Sequence, residues 1–240
     1  MWRRLLVLLC CPGLAAYNYG YEEAAKLTAS DAAENDKFGY SVAIAGGTVV
    51  IAATGDDGGS AYVYRPSDGG VTYGQVAKLT AADGAAGFGE SVSIDGATVV
   101  VGAHLGGSVY VFRTTDGGAT YGQVAKLRAA NSGALRFGKS VAISSDTIVV
   151  GAWGETIGGK KTGAAYVFRT IDGGASYSQV SKLRAGDARH GDNFGHDVAI
   201  NSGTIVVGAR NNKDRGASTG SAYVFRTTDG GATYGQVAKL

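Results

Sequence analysis

A unit of about fifty residues is written four times in succession, and only a repeat architecture can accommodate that period. Its landmarks keep their order: Phe-Gly at Phe38, Phe88, Phe137 and Phe194, then an aromatic strand YV(F/Y) beginning at Tyr62, Tyr110, Tyr166 and Tyr223, then a Lys-Leu pair. The pairs begin at Lys26, Lys78, Lys126, Lys182 and Lys239, so their spacings are 52, 48, 56 and 57 residues. That exceeds leucine-rich and ankyrin repeats and falls in the range of propeller blades. Because repeats share one continuous core, residues 17–240 read as one domain with units at approximately 21–79, 80–127, 128–183 and 184–240.

Within a unit, SVAISSDTIVV sets two apolar β-branched runs either side of a short turn, which predicts a tight hairpin. The turns read AGG, DGA, SSD and NSG. The runs are nearly continuously apolar (Val141, Ile143, Ile148, Val149, Val150), as expected of strands covered on both faces. A third strand, AAYVF, follows a loop of variable length, and TIDGGASY returns the chain into YSQVSKL, a partly wet outer strand. Four such strands cannot stand alone, since ordering costs roughly 1–2 kcal/mol per residue against about 1.5–3 kcal/mol for each buried Val or Ile. Blades must therefore stack. The expected fold is all-β, a β-propeller of four-stranded antiparallel blades, with a linear β-solenoid as runner-up. The glycines after each Phe (Gly39, Gly89, Gly138, Gly195) are expected to let the innermost strand approach the axis closely. With 40 glycines and two prolines, the composition excludes a Pro-rich linker and suits turn-dense β structure.

The chain opens MWRRLLVLLCCPGLAAYN: Arg3 and Arg4, an apolar run from Leu5 to Cys11, then small residues. This is the layout of a signal peptide over residues 1–16, and the run is too short to span a bilayer. Cys10 and Cys11 leave with it, so no disulfide is expected in the exported chain. Without Arg3 and Arg4 the 20 remaining basic residues balance 20 acidic ones, which leaves no electrostatic footprint for nucleic acid. No later run reaches membrane-spanning length, and no cofactor motif stands out.

The words FGYSVAI…VVIAA…YVY, FGESVSI…VVVGA…YVF, FGKSVAI…VVGA…YVF and FGHDVAI…VVGA…YVF resemble the FG-GAP repeats of integrin α-chain β-propellers and of FG-GAP repeat proteins from microbes and algae. The resemblance runs over residues 21–240 and implies an extracellular adhesion or recognition role. Two departures accompany it. The proline of the motif's name is replaced by Thr54, His104, Trp153 and Arg210. The hairpin turns hold at most one aspartate (Asp95, Asp146), too few oxygens for the calcium some integrin repeats carry, so no metal is expected.

The turn T-x-D-G-G-A-(T/S)-Y at Thr114–Tyr121, Thr170–Tyr177 and Thr227–Tyr234 is similar to the Asp-box of sialidases. Its aspartates Asp116, Asp172 and Asp229, with Asp68 in the first copy, are expected to accept backbone N–H bonds and serve folding. Arg65, Arg113, Arg169 and Arg226 close the third strands and are expected to point outward around the ring. GALRFGKS at Gly133–Ser140 satisfies a phosphate-loop pattern but leads into a strand, where that chemistry needs a helix N-terminus. No His or Ser-His-Asp grouping suggests a metal or a nucleophile.

In an antiparallel blade, the second-to-third and fourth-to-first loops share one face. There the copies differ most: GDDGGS and LGGS against WGETIGGKKTG and RNNKDRGASTG, with RAGDARHGDN beside them. Loops on a rigid scaffold are where binding residues sit. The candidate patch is therefore Trp153, Lys160, Lys161, Asp187, Arg189, His190, Arg210, Lys213, Asp214 and Arg215, for an extracellular protein or glycan. The alternatives are a sialidase-like carbohydrate hydrolase, with Glu155, Asp187 and Asp214 as its carboxylates, and a structural wall or matrix protein. Finally, the outer segment Y(x)4KL occurs five times, from Tyr21 to Leu240, against four copies of the inner strands. In a closed four-blade ring the first and last would compete for one place, which points to further blades.

Overall fold

The computed structural model describes residue 23 and residues 25–68, 72–130, 135–214 and 216–240. The leader and Arg215 lie outside the described residues. Four meander sheets follow one another along the chain. Blade 1 is β1 (Phe38–Ala45), β2 (Thr48–Ala53), β3 (Ser60–Pro66) and β4 (Tyr73–Leu79); blade 2 is β5 (Phe88–Asp95), β6 (Thr98–Ala103), β7 (Ser108–Arg113) and β8 (Gly122–Leu127). Blade 3 is β9 (Val141–Ser144), β10 (Thr147–Ala152), β13 (Ala164–Arg169) and β14 (Ser178–Leu183), its long loop folded into the hairpin β11 (Thr156–Ile157) and β12 (Lys160–Lys161). Blade 4 is β15 (Phe194–Asn201), β16 (Thr204–Ala209), β17 (Ser221–Arg226) and β18 (Gly235–Lys239). Among the described residues no helix is long and apolar enough to cross a membrane.

Every sheet is antiparallel, and the third-to-fourth strand pairing slips by one residue at the same place in each, between Val63 and Tyr64, Val111 and Phe112, Val167 and Phe168, and Val224 and Phe225. The first hairpins turn through two residues, with Gly46, Gly96, Ser145 or Ser202 leading at positive φ.

Each blade has two unlike faces. The leading face carries the repeat's Phe and Tyr, whose rings meet edge-on at 5.6, 5.5, 5.5 and 5.4 Å in blades 1 to 4. The trailing face carries smaller residues and the closing leucine. Blade 1's Val50, Val63 and Leu79 form one core with blade 2's Phe88, Val92 and Tyr110, and the same seam recurs between blades 2 and 3 and between blades 3 and 4. No core cluster joins blade 4 back to blade 1 among the described residues. The blades form an open arc with two ends.

The Phe-Gly glycines adopt positive φ, from 82° to 93°. A Cβ on Gly138 would lie 2.6 Å from Ser108 O, and one on Gly195 2.1 Å from Ala164 O. What this glycine admits is the backbone of the preceding blade. Gly39, in the first blade described, has nothing within 4 Å among the described residues.

The arginines differ from expectation. They reach across the seam onto the next blade's turn, where a Cβ on Gly118 would meet Arg65 Nη1 at 2.5 Å, one on Gly174 Arg113 Cδ at 2.9 Å, and one on Gly231 Arg169 Nη1 at 2.8 Å. An outward arginine would leave its stem in water; lying over a glycine, it buries that stem and bridges two sheets.

Candidate functional site

In blades 1, 2 and 4 the pairing of first and second strands slips just after the Phe, between Phe38 and Val42, Phe88 and Ser91, and Phe194 and Asp197. This β-bulge redirects the residue that follows Phe-Gly along the edge of the loop face. The residue differs in each copy: Tyr40, Glu90, Lys139 and His196. Beside it stands the residue after the second strand, also different in each copy: Thr54, His104, Trp153 and Arg210.

These two sets connect from blade to blade. The Tyr40 hydroxyl donates to Glu90 Oε1 at 3.1 Å, Lys139 pairs with the same oxygen, and His104 Nδ1 lies 3.3 Å from Glu90 Oε2. The His196 ring lies 6.3 Å from that of Trp153. Around the half-buried Trp153 stand two cations, Lys161 Nζ at 4.5 Å and the Arg136 guanidinium at 5.8 Å from the ring. Such contacts contribute roughly 0.5–2 kcal/mol each. The indole N–H is buried and meets no acceptor among the described residues.

The field here is positive. Burial holds His196 below its ordinary value, and Arg210 and Lys139 depress it further. His104 is likewise lowered, first by burial, with Glu90 opposing and Lys139 and Arg136 adding. Glu90 is paired with Lys139, whereas Arg136, Lys161 and Arg210 have no carboxylate partner among the described residues.

The structure divides the predicted patch. Trp153, Lys161 and His190 come together: the Lys161 amide donates to His190 Nδ1 at 3.2 Å, and the Gly191 amide donates to Lys161 O at 2.7 Å. Lys160 shares their hairpin, while Arg210 stands beside His196. Lys213 is exposed and makes no ion pair among the described residues. Arg189 lies 3.6 Å from Asp214 Oδ1.

Asp187 and Asp214 belong to something else. Asp187 accepts from the Tyr223 hydroxyl at 2.8 Å, and Lys239 pairs with both carboxylates. The arrangement is the local form of a clamp built in every blade: the Tyr of the third strand, the Lys opposite it on the fourth, and a loop carboxylate. Tyr62 and Lys78 hold Asp31 and Asp56; Tyr110 and Lys126 hold Asp83; Lys182 holds the fully buried Glu155 at 2.6 Å. Lys126, then Tyr110, bring Asp83 down to about 2.

Glu90, Lys139, His196 and Tyr40 were missed as site residues in the sequence. A signal for them existed, the position directly after Phe-Gly, which holds a different residue in every copy. The apparent phosphate loop ends here too: Lys139 pairs with Glu90, and β9 follows where a helix would be needed.

The chain matches the FG-GAP repeat family over residues 21–64, 73–120, 121–168 and 177–225. No curated protein matches it. Among solved structures, it is similar to Sqt1 of Saccharomyces cerevisiae, at 12% identity and a TM-score of 0.53, over 86% of this chain and 49% of that one. It is also similar to a protein from Lactobacillus plantarum, at 13% identity and a TM-score of 0.58, over 84% and 55%. At such identities the likeness concerns the fold. The chain spans about half the length of each.

Proposed function

The chain belongs to the FG-GAP repeat family, and from that premise we propose that it is a non-enzymatic recognition module, exported to the cell surface or beyond. Its ligand is an acidic glycan, held on the loop face where blades 3 and 4 meet. One observation carries this reading: the two positions that differ in every copy converge on one edge, where Arg136 and Lys161 flank Trp153 and Arg210 stands beside His196, all three without carboxylate partners among the described residues. A few cations around a single indole suit an oligosaccharide bearing carboxylate or sulfate groups better than a protein surface, which typically buries about 800 Å² per partner.

The hydrolase alternative needs a carboxylate free to protonate a glycosidic oxygen and another free to attack. Glu155 is fully buried on Lys182, and Asp187 and Asp214 share Lys239. Their geometry favours a structural role, and substituting them singly should leave no turnover to lose.

The test is built into the chain. Its only tryptophans are Trp2, in the expected leader, and Trp153, so fluorescence of the leader-free protein reports on the site. A sulfated or uronate oligosaccharide should change that signal saturably, a neutral one of equal length should not, and Lys161→Ala and Arg136→Ala should each weaken binding by about fivefold to tenfold. Equal binding of the neutral sugar, or indifference to both substitutions, refutes the reading.

A further inference from the structure

The first hairpins and the T-x-D-G-G turns share the face opposite the long loops. Between blades 2 and 3 that face opens into a groove of about 350 Å³, bounded by Asp95 and Arg113 on one side and by Ser145, Asp146 and Tyr177 on the other. A second groove, of about 280 Å³, lies in the same place between blades 3 and 4. Both sit inside the arc, with a blade on either side.

The two grooves differ in what meets their arginine. Thr98 pairs with Arg113 and Thr147 with Arg169 across the second and third strands, so the residue before each threonine stands next to the guanidinium. In blade 3 that residue is Asp146, and it pairs with Arg169. In blade 2 it is Ala97, which carries no acceptor. Elsewhere in the row, Arg65 donates to Gly117 O and Arg226 to Thr204 Oγ1. Of the four arginines, Arg113 alone has neither a hydrogen bond nor an ion pair from its side chain among the described residues, and its Nε is buried without an acceptor. The side chain is nonetheless held in place, its stem lying over Gly174, where a Cβ would meet Arg113 Cδ at 2.9 Å.

We propose that the groove between blades 2 and 3 binds a hydroxylated monocarboxylate, a sugar acid in its chemistry, with Arg113 as the anchor. A planar guanidinium fork matches a carboxylate through two parallel hydrogen bonds, and a buried donor left without an acceptor gains most from one. The pair of Asp146 and Arg169 is the protein's own version of that contact, one seam along. Charge restricts the ligand to a single negative group. Asp146 is already neutralised by Arg169, which leaves Arg113 as the surplus cation, and Asp95, without a cationic partner among the described residues, opposes a second negative charge. Size restricts it further, since the volume lies at the lower end of small-molecule pockets and suits a single sugar ring. Asp95 and the Ser145 hydroxyl offer partners for the ring's hydroxyls, and Tyr177 supplies an aromatic side. The site lies on the face away from Trp153 and does not rest on the reading given to the loop face.

Glucuronate is the probe, with glucose as its neutral counterpart. Calorimetric titration of the leader-free Lys161→Ala chain, whose loop face is weakened, should show one glucuronate bound saturably and no glucose. On that background, Arg113→Met keeps a stem over Gly174 but removes the fork, and should weaken binding by about tenfold or more. Ala97→Asp gives blade 2 the carboxylate that blade 3 already holds at the same turn position, and should weaken binding to the same extent by occupying Arg113 from within. Both variants should keep the parent circular dichroism. Absence of saturable glucuronate binding, equal binding of glucose, or a folded variant of either kind that binds as the parent does would each overturn the proposal. In the chain that retains Lys161, neither substitution should alter the Trp153 fluorescence titration with the sulfated oligosaccharide, so failure of the groove and failure of the loop-face reading are told apart.

Discussion

The face that carries the T-x-D-G-G turns and the face that carries the long loops use similar polar residues to opposite ends. In the turn of blade 3, Thr170 Oγ1 donates to Asp172 at 2.6 Å and accepts the Gly174 amide at 2.8 Å, while Asp172 accepts the Ser176 amide at 2.9 Å. Blades 2 and 4 repeat this with Thr114 and Asp116 and with Thr227 and Asp229. The Thr and Asp side chains there are bonded within the turn. On the loop face the polar residues change from copy to copy, and cations stand beside one another without counter-ions. Repetition marks the groups that hold each other, and departure from it marks the groups left to meet something else.

The largest break in that contrast lies beneath the loop face, at a position that does repeat. Phe137→Ala empties a fully buried site against Tyr166 and Phe168 and should cost about 3–5 kcal/mol in denaturant unfolding, with loss of ligand binding. Acid should act next, on the clamps of blades 1, 2 and 4 together. Asp83 is lowered from 3.8 to about 2, and Asp31, Asp56 and Asp187 are lowered as well. A carboxylate depressed on folding contributes its stability above its unfolded value and loses it as pH falls through the folded one. Thermal stability should therefore hold down to about pH 4 and fall steeply towards pH 2, a window that moves up if Lys126→Met releases Asp83.

Asp172→Ala separates the two faces directly. It removes acceptors from the turn and should cost about 1–2 kcal/mol of stability while leaving the fluorescence titration unchanged. Trp153→Tyr is its mirror image, weakening ligand binding, read by calorimetry, about tenfold with under about 1 kcal/mol of stability lost. The smallest effect belongs to the first hairpins. Ser202 sits at φ 46°, where the first and second copies place Gly46 and Gly96, so Ser202→Gly should gain about 0.5 kcal/mol, seen as a raised melting temperature.

Strands, blades and the role of the turn aspartates could be read from the sequence because each rests on a fixed column of the repeat. The clamp could not. Its carboxylate comes before the first strand in blade 2 (Asp83), after the second strand in blade 3 (Glu155), and from both places in blades 1 and 4 (Asp31 and Asp56, Asp187 and Asp214). Since no single column holds it, Asp187 and Asp214 looked like variable loop charges rather than parts of a constant device. The row from Tyr40 to His196 was hidden for another reason: residues about fifty positions apart meet only because neighbouring blades bring their Phe-Gly segments side by side across a seam, and no local pattern announces that distance. The seam arginines were misread because their partners, the turn glycines of the next blade, offer no side chain to pair with.

The frame of the family match has a mechanical consequence. Segments such as 73–120 begin in the outer strand of one blade and finish beyond the third strand of the next, so each of the last three repeats crosses a seam. Where tension along the chain pulls an edge strand away from its sheet, its hydrogen bonds lie along the pull and open one after another. An outer strand cannot peel away without drawing on the link to the following blade. Under force the arc should yield as a ratchet of small, evenly spaced steps, each blade loosening its neighbour, rather than in one abrupt rupture.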